Sequence, residues 1–401
     1  MKLADIIETF ISGDWGEETV AEDTPNSVFC IRGADIVPIT NHCFNGIPQR
    51  FVCDKTIENK TLKAGDLIIE KSGGSPTQST GRIVYVSEDL IKAKGNVVCS
   101  NFCTAFLVKT GWNPLYVYYY WQNVYNHGAF FNFEGKTTGI KNLQLDNALS
   151  AIDIEYLPLE KQNQIVASLA SIDEKIKVNR QINDNLEAMA RQLYDYWFVQ
   201  FDFPDENGKP YKSSGGKMVW NEKLKREIPQ GWDFCFLEDL LTIRNGRDHK
   251  HLADGIYPVY GSGGEMRKVS EYLYDGESVL MPRKGSLNNI MYVNEAFWTV
   301  DTMFYSEMKL SNCAKYIYYT IKDIDFTRWN SGTGVPSMTS STLYSIKLVK
   351  PQNETLKKFD EMISPLFEHM KQISEQNVVL TKQRDELLPL LMNGQASVNS
   401  D

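Results

Sequence analysis

Long apolar runs are absent from this chain, which excludes a membrane-spanning helix. The 401 residues are 42% hydrophobic, but the apolar runs are far shorter than the roughly 20 residues that cross a bilayer. The first ten residues, MKLADIIETF, carry acidic side chains where a signal peptide is basic and then apolar. We therefore expect a cytoplasmic protein with no membrane partner.

Cysteine and histidine are scarce, with seven and five copies. Cytoplasmic proteins keep their thiols reduced, so free cysteines are expected. Cys99 and Cys103 are close together, but no second pair or histidine cluster completes a metal site. His249 and His251 are equally isolated. The sequence therefore predicts neither disulfides nor a metal site.

Motifs for covalent chemistry are also missing. Gly135-Lys-Thr resembles the end of a phosphate-binding loop, but the earlier glycine of that loop would fall at Phe130. Asn113-Pro-Leu-Tyr resembles an amino-methyltransferase tetrapeptide without its second proline. The chain contains neither Gly-x-Ser-x-Gly nor His-Glu-x-x-His. We expect no catalytic residue and no bound cofactor.

Positive charge is outnumbered, with 42 basic and 51 acidic residues and a net charge of −9. At face value this balance disfavours nucleic acid as a partner. A local basic surface can nevertheless bind phosphates on an acidic protein. The distribution of charge along the chain therefore matters more than its sum.

A long helix is predicted twice. Residues 165–197 contain neither proline nor glycine, which predicts one helix about 50 Å long. Its apolar residues recur every 3.5 positions, as in a helix that packs along another helix. The same pattern returns 194 residues later, again with an asparagine at its middle. The residues predicted to pair the two helices are Ile165, Leu169, Ile172, Ile176, Asn183, Leu186, Leu193, Ile363, Leu366, Met370, Asn377, Leu380 and Leu387.

The pairing would be antiparallel, with Asn183 and Asn377 as a buried polar pair near the middle that fixes the register. Two positions depart from the regular pattern. Pro365 predicts a kink or a late start of the second helix. Arg384 stands where the first helix has Ala190, so the pairing should loosen there or the arginine should extend to solvent.

The sequence before each helix is duplicated as well. Matching segments are Leu3-Ala-Asp and Leu237-Glu-Asp, Gly65-Asp-Leu and Gly276-Glu-Ser, Ile83-Val-Tyr and Ile290-Met-Tyr, and Tyr116-Val-Tyr and Tyr316-Ile-Tyr. Their offset falls from 234 to 200 along the chain, because loops change length while the elements keep their order. About 22 extra residues lie between Gly13 and Gly65 of the first copy.

The predicted fold class is α+β, with two related domains that have curved sheets, each followed by a long helix, and the two helices paired as an antiparallel coiled coil. Residues 201–227 are rich in proline, glycine and serine and are predicted to be a linker. The complete division is a first domain at 1–157, a central helix at 158–200, the linker, a second domain at 228–350, a C-terminal helix at 351–393 and a tail at 394–401.

Cations and small polar residues gather in matching loops of the two copies. Lys and Arg suit phosphates or guanine edges, and Asn and Gln suit adenine. Any polar surface loop has a similar composition, so composition alone does not decide. The candidate DNA-binding residues are Lys71, Ser72, Thr77, Gln78, Arg82, Lys136, Thr137 and Lys141 in the first copy and Arg247, Lys250, Arg267, Lys268, Arg283, Lys284, Asn288, Asn289 and Arg328 in the second.

Duplication favours the DNA interpretation. Paired helices of about 50 Å can hold two domains in successive major grooves, which lie about 34–36 Å apart on B-DNA. Two short half-sites with unread base pairs between them would follow. Because the two domains differ in sequence, their half-sites should differ too.

Six stretches together resemble the specificity subunit of type I restriction–modification systems. They are LPLEKQNQIVASLASIDEKI (157–176), ARQLYDYWFVQFD (190–202), IPQGWDFCFLEDL (228–240), YPVYGSGGEM (257–266), ESVLMPRKGSLNNIMYV (277–293) and LLPLLMNG (387–394). Each is unspecific alone, but together they keep their order and cover essentially the whole chain.

The resemblance implies a non-catalytic subunit with two target-recognition domains and two helical spacers. It implies as partners double-stranded DNA, two adenine methyltransferase subunits and restriction subunits that translocate and cut DNA. S-adenosylmethionine, ATP and Mg²⁺ would be bound by those partners. Apolar residues of the helices, such as Leu159, Val166, Tyr196 and Phe198, would contact the methyltransferase subunits.

One interpretation from another class stays open, a coiled-coil adaptor that binds protein partners through its paired domains. It explains the helices and the net charge of −9. It does not explain why cationic loops recur at matching places. A fused restriction–modification enzyme is excluded, because the methyltransferase and nuclease motifs are missing from this chain.

Overall fold

The structure is a computed structural model that describes residues 1–73, 78–137, 140–329 and 336–396, with only the backbone of Lys136 and Thr137. Two compact units make up the chain. Unit 1 contains residues 1–181 and 373–401, and unit 2 contains residues 182–372. Among the described residues, no helix is both long and apolar enough to cross a bilayer.

The described residues of unit 1 form a mixed domain with three sheets. Its strands are β1 (Ile7–Ser12), β2 (Asn26–Ile31), β3 (Gln49–Val52), β4 (Leu67–Glu70), β5 (Ser72–Gly73), β6 (Ile83–Tyr85), β7 (Val97–Cys99), β8 (Cys103–Val108), β9 (Glu134–Thr137) and β10 (Ile140–Leu143). Its helices are α1 (Ile36–Thr40), α2 (Asp54–Lys60), α3 (Glu88–Lys94), α4 (Pro114–Asn126) and α5 (Leu145–Ala151), with 3₁₀ turns at Leu3–Ile6, Gly33–Asp35 and Ala129–Phe133. The sheet orders are β1-β8-β4-β6, β3-β2-β7 and β5-β10-β9.

Helix α6 (Leu159–Tyr194) follows and ends in a π-helical turn at Asp195–Val199. Unit 2 then has strands β11 (Met218–Asn221), β12 (Arg226–Pro229), β13 (Asp233–Phe236), β14 (Leu241–Asn245), β15 (Asp254–Gly261), β16 (Gly264–Val269), β17 (Tyr274–Pro282), β18 (Met291–Thr299), β19 (Met303–Met308) and β20 (Lys347–Lys350). Its helices are α7 (Leu237–Leu240), α8 (Ala314–Lys322) and α9 (Ser340–Tyr344), with a 3₁₀ turn at Phe326–Trp329. Helix α10 (Asn353–Met392) closes the chain.

The main sheets of the two units have the same strand order. Unit 1 has β1-β8-β4-β6, and unit 2 has β14-β19-β17-β18 followed by β15 and β16. In unit 2, β18 is long enough to pair with both β17 and β15. In unit 1, helix α3 divides the equivalent strand into β6 and β7, and β7 pairs in parallel with β2. The predicted duplication of a mixed α and β domain is confirmed.

Helix α4 illustrates how the local sequence sets these elements. The side chain of Asn113 accepts a hydrogen bond from the backbone N–H of Leu115 at 2.8 Å, and Pro114 occupies the first turn, where its missing N–H removes no helical bond. Trp121 is fully buried on the inner face of the helix, and its indole N–H donates to the carbonyl of Gly81 at 2.7 Å. The helix thereby covers β4, β6 and β8.

Each unit buries parts of both long helices. The core of unit 1 joins Leu3 and Phe106 to Leu169 of α6 and to Leu388 of α10. The core of unit 2 joins Phe198, which follows α6, to Tyr316 of α8 and Phe359 of α10. Phe198 was predicted to contact a methyltransferase subunit, and this is wrong. Its side chain is only 5% exposed, because its ring packs 4.7 Å from Tyr316 and 4.8 Å from Phe359.

Contacts between the long helices run antiparallel within each unit. In unit 1, Asn179 donates to the side chain of Asn377 at 2.8 Å, and Asp173 pairs with Arg384 at 2.9 Å. In unit 2, the amide of Asn183 donates to the carbonyl of Met370 at 3.3 Å. The predicted polar partner of Asn377 is therefore wrong by one helical turn, because the antiparallel register sets Asn179 opposite it.

The predicted pairing residues are buried or half-buried with one exception. Ile165, Leu169, Ile176, Ile363 and Leu380 are buried, and Ile172, Asn183, Leu186, Leu193, Leu366, Met370 and Asn377 are half-buried. Leu387 is 36% exposed, whereas its neighbour Leu388 is 3% exposed. A step of four residues from Arg384 reaches Leu388, and at 3.6 residues per turn this step keeps the buried stripe on one face. The prediction for Leu387 is wrong.

Helix α10 begins at Asn353, well before Pro365, which excludes the late start of the second helix, while a kink at Pro365 stays a prediction. One further expectation is wrong. Residues 201–227, predicted as a linker, contain β11 and the start of β12 and pack onto unit 2. The ring of Phe203 stacks 4.8 Å from Tyr211 and 4.8 Å from Trp232. Packing of these aromatic side chains orders the segment, although the residues around them are rich in proline, glycine and serine.

Candidate nucleic-acid interface

A basic residue follows the equivalent central strand in both units and makes the same two backbone hydrogen bonds. These bonds, with the turn that they hold, are called the frame below. In unit 1, Lys71 follows β4, its N–H donates to the carbonyl of Phe102 at 2.8 Å, and its carbonyl accepts from the N–H of Leu143 at 2.7 Å. In unit 2, the N–H of Arg283 donates to the carbonyl of Thr302 at 2.8 Å, and its carbonyl accepts from Met338 at 2.9 Å. Lys71 and Arg283 therefore occupy the same place in the fold.

A glycine fixes the turn beside each basic residue. A Cβ atom on Gly13 would lie 2.0 Å from the carbonyl oxygen of Ser100, and one on Gly246 would lie 2.0 Å from that of Val300. Neither position can carry a side chain unless the turn moves. The residue after each glycine bonds to the strand before the turn, through Asp14 in unit 1 and Arg247 in unit 2. The frame is thus shared by the two copies while its charge differs.

Four candidate cations of unit 2 are exposed and have no ion-pair or side-chain hydrogen-bond partner among the described residues. They are Arg247, Lys250, Lys268 and Lys284. Arg283 makes one long bond of 3.5 Å to the carbonyl of Asp301. In unit 1, Lys71 is half-exposed and its ammonium group likewise has no such partner within the described ranges. Apart from Arg283, these cations can meet phosphates without breaking a side-chain bond to a described residue.

Other candidate cations are held by carboxylates of their own domain. The guanidinium of Arg82 donates to both oxygens of Glu70 at 2.6 and 2.8 Å, which raises the pKa of Arg82. The ammonium group of Lys141 lies 3.0 Å from Glu134. Both carboxylates are almost fully buried, with side chains 3% and 5% exposed. A phosphate contact would leave such a carboxylate without its cation, so these two residues stabilise the domain.

The remaining candidates of unit 2 shape the loops. Arg267 donates to the carbonyl of Leu252 at 2.6 Å. Asn289 donates to the carbonyl of Ser262 at 2.9 Å. Asn288 accepts from the N–H of Phe326 at 2.8 Å.

Asp325 ties two of these loop residues together. It accepts from Asn288 at 3.2 Å and pairs with Arg328 at 3.1 Å. The Arg328 side chain is nevertheless 81% exposed, so it can reach a ligand by leaving a surface ion pair of small free energy.

The candidates around β5 in unit 1 are described in part. Ser72 donates to the side chain of Asn142 at 2.5 Å, where β5 pairs with β10. Gln78 is exposed, and its carbonyl accepts from Lys141 at 3.2 Å. Thr77 and the side chains of Lys136 and Thr137 lie outside the described residues.

Apolar residues beside the basic frame were not predicted. A groove of about 590 Å³ in unit 1 is lined by Trp15, Phe102 and Ile140 together with Arg32, Ser72 and Asn101. The side chains of Phe102 and Ile140 are 56% and 51% exposed. Unit 2 has a groove of about 530 Å³ at the equivalent turn, lined by Lys250, Asp301 and Thr302. Phe102 is neither a cation nor an amide and was therefore not among the predicted residues, although a phenylalanine in the polar turn Ser100-Asn-Phe is visible in the sequence.

Metal-binding geometry is not found in the part of the chain that the structure describes, since no three His, Cys, Asp or Glu side chains converge. The seven cysteines are free, and Cys30, Cys99, Cys103, Cys235 and Cys313 are buried. Burial raises the pKa of the Cys99 thiol to about 12, so this thiol stays protonated near neutral pH.

Two regions of the chain, residues 53–188 and 229–378, match the family described as the type I restriction modification DNA specificity domain. Together they cover more than half of the sequence. The chain belongs to this family. Specificity subunits are the non-catalytic subunits of their enzymes, so the prediction that this chain is not an enzyme by itself is confirmed, and catalysis lies on other subunits.

The chain is similar to specificity subunits over most of their length. The specificity subunit of the type I restriction enzyme MjaIX from Methanocaldococcus jannaschii is 25% identical over 382 residues, which cover 86% of this chain and 82% of that protein. The HindI specificity subunit from Haemophilus influenzae is 20% identical over 419 residues, covering 84% and 87%. The crystal structure of the S subunit of a type I restriction–modification system from M. genitalium has a TM-score of 0.56 at 15% identity and covers 100% and 96% of the two chains, which supports a shared fold.

Proposed function

We propose that this specificity subunit reads a bipartite, asymmetric target on double-stranded DNA, one half with each unit. The observation that carries the proposal is the duplicated frame around Lys71 and Arg283. Each unit presents a basic residue at the end of the same strand, beside a glycine-fixed turn. In unit 2 the frame is surrounded by exposed cations that lack partners among the described residues, as phosphate binding requires.

The two frames differ in ways that favour unlike half-targets. Arg247 of unit 2 corresponds to Asp14 of unit 1, and Asp14 is held by Thr56 and Lys60 within its own domain. The residue at the tip of the turn is Phe102 in unit 1 and Thr302 in unit 2. Because base edges are distinguished by hydrogen bonds and apolar contacts, such differences change which base is preferred.

The long helices are proposed to pair as an antiparallel coiled coil that sets the distance between the half-targets. Helix α6 has 36 residues and α10 has 40, which corresponds to about 54 and 60 Å. The bond between Asn179 and Asn377 and the ion pair of Asp173 with Arg384 support a defined register. A polar pair of this kind favours one alignment of two helices over its alternatives.

The partners proposed for this subunit are two adenine methyltransferase subunits and, in the complete enzyme, restriction subunits. S-adenosylmethionine, ATP and Mg²⁺ would be bound by those subunits, in the cytoplasm. Exposed apolar side chains of the helices support a docking role, among them Leu159, Met189 and Met362, which are 45%, 51% and 45% exposed. The names of the relatives support an assembled restriction enzyme.

Genome-wide mapping of methylated adenine tests the proposal. One strain expresses this chain with its methyltransferase subunit, and a matched strain lacks only this chain. We expect a two-part motif with a fixed gap that appears only when the chain is present. If no dependent motif appears while the methyltransferase is intact, the proposal is wrong and the adaptor interpretation is favoured.

A further inference from the structure

Phe102 is an exposed aromatic residue in a turn that is otherwise built into the sheet. It follows Ser100 and Asn101 between β7 and β8, and the flanking Cys99 and Cys103 are 1% and 0% exposed. Its own side chain is 56% exposed. Single exposed apolar residues are common, but Ile140 is 51% exposed in the same groove. The two side chains therefore form a small apolar surface.

The backbone holds Phe102 in a fixed position. Its carbonyl accepts two hydrogen bonds, from the N–H of Lys71 at 2.8 Å and from that of Ser72 at 3.1 Å. The turn also lies so close to the end of β1 that a Cβ atom on Gly13 would be 2.0 Å from the carbonyl oxygen of Ser100. Because the backbone of the turn is already ordered, a ligand that meets Phe102 need not order it.

The surroundings of Phe102 suit a polyanion with apolar features. The guanidinium of Arg32 lines the groove, is 39% exposed and pairs with Asp35 at 2.8 Å, whereas the side chain of Lys71 lines a separate groove with Phe10 and Thr104. Glu70 beneath the groove is neutralised by Arg82 at 2.6 Å. Ser72 and Asn101 line the same groove. A half-exposed arginine beside an exposed apolar pair suits the major groove of DNA, where the 5-methyl group of thymine is the apolar feature of the base edges.

The equivalent position in unit 2 supports this comparison. The carbonyl of Thr302 accepts from Arg283 at 2.8 Å and from Lys284 at 3.2 Å, as that of Phe102 does from Lys71 and Ser72. Phenylalanine and threonine differ in polarity, yet both can place carbon atoms against a thymine methyl group.

We infer that Phe102 is a specificity-determining residue that contacts the 5-methyl group of a thymine in the half-target read by unit 1. The inference rests on the proposed function and names one chemical feature that unit 1 reads. Ile140 would border the methyl group on the other side of the groove.

Replacement of single thymines by deoxyuridine tests the inference, because deoxyuridine lacks only the methyl group. Once the target is mapped, duplexes carry one deoxyuridine at each thymine position of either half-target, on either strand. The assembled methyltransferase complex is prepared with the unchanged chain, with Phe102→Ala and with Val20→Ala. Val20 is 62% exposed in the same unit and is not among the residues that line the groove.

The unchanged complex should bind one of the substituted duplexes of the first half-target about fourfold more weakly, the effect of one buried methyl group. Phe102→Ala should lose this difference and bind the substituted and unsubstituted duplexes equally. Val20→Ala should keep it. Duplexes substituted in the second half-target should respond identically in all three complexes.

The inference is overturned if Phe102→Ala keeps every deoxyuridine effect of the unchanged complex, or if the first half-target contains no thymine on either strand. It is also overturned if Phe102→Ala weakens binding of the methyltransferase subunit and leaves the deoxyuridine effects unchanged, since the surface would then contact protein. Should Phe102→Ala fail to assemble, Phe102→Ser replaces it in the same comparison, because serine has no methyl group; loss of the deoxyuridine effect is expected, and its retention would overturn the inference. Absence of any motif dependent on this chain would instead refute the proposed function.

Discussion

Cations of the same type in this chain differ in what holds their side chains. Arg82 and Lys141 are bonded to buried carboxylates, whereas Lys71 and Lys250 have no such partner within the described residues. An ion pair inside a domain and a phosphate contact compete for the same charged group. The partner of a cation is therefore a better guide to DNA binding than its position in a polar loop.

Lys250→Gln should weaken DNA binding by the assembled complex to a similar degree for all target sequences. The size of the slope of log K against log salt should fall by about 1, because one phosphate contact releases about one counterion. Binding measured at salt concentrations from about 50 to about 200 mM gives the slope. Lys225→Gln is the matched control, because its ammonium group is exposed but lies 2.8 Å from Glu222. Equal losses in both variants would contradict a specific role for Lys250.

His42 should make unit 1 less stable at acidic pH. Burial lowers the pKa of His42, and Lys177 lowers it further, with Arg180 acting in the same direction and Asp89 and Glu174 opposing. The folded state thus prefers the neutral ring. Above the unfolded pKa of about 6.5 the ring is neutral in both states and does not lower the unfolding free energy. As the pH falls below that value, the unfolded state binds a proton more readily than the folded state, so stability is lost progressively.

His42→Asn should therefore reduce the loss of unfolding free energy between about pH 7.5 and pH 5, on either side of that unfolded pKa, measured by chemical denaturation with a probe in unit 1. Asparagine also tolerates the positive φ of 57° at this position. An identical pH dependence in both proteins would show that His42 does not contribute.

At the scale of single residues, local sequence revealed the composition of the candidate site but not its bonding. Lys71 and Arg283 were found because each follows a recognisable strand. That Glu70 pairs with Arg82, or that the carbonyl of Phe102 accepts from the N–H of Lys71, depends on contacts between distant strands. Such contacts have no local signal in one sequence.

At the scale of elements, the long helices were predictable because their periodicity is local. Their mutual register was not, because it depends on which residues of two segments meet. The predicted partner of Asn377 was Asn183, and the observed partner is Asn179, one helical turn earlier. Similarly, a single step along α10 separates the exposed Leu387 from the buried Leu388.

Leu388→Ala should destabilise unit 1 by about 2–5 kcal/mol, because a buried leucine is replaced by a cavity. Its matched control is Leu387→Ala, for which a change within about 0.5 kcal/mol is expected. Denaturant unfolding of the two variants measures the difference. If Leu387→Ala lost more unfolding free energy than Leu388→Ala, Leu387 and not Leu388 would be the residue that packs in the core.

At the scale of the whole molecule, duplication is the main organising feature. The same strand order in both units was predictable from the repeated segments, since each copy preserved the sequence of its elements. The division of one strand by helix α3 was not predictable. The flanking strands keep the residue pattern of ordinary strands, so nothing in them shows that a helix lies between. The specificity of each unit is expected to reside in the loops, where the copies diverge.

Exchange of residues 1–157 for the same region of a relative should change one half of the DNA target and leave the other. Each unit has its own core and its own candidate frame, so the two should read independently. Mapping of methylated adenine before and after the exchange gives both halves at once. A change in both halves, or in neither, would contradict modular reading.

Insertion of one heptad into both α6 and α10 should lengthen the unread gap by about three base pairs. Seven helical residues add about 10.5 Å, and DNA rises about 3.4 Å per base pair. The same insertion in α6 alone should abolish assembly, because the helices would lose their register. Methylation of the original target at full rate by either variant would refute a helical spacer.

The end of helix α10 completes the first unit. Leu388, Leu391 and Met392 pack in the same cluster as Leu3, although they are synthesised after all of unit 2. Until these three residues emerge from the ribosome, unit 1 lacks part of its core while every residue of unit 2 has already emerged. A nonsense mutation shortly before Leu388 would therefore harm the unit that was synthesised first.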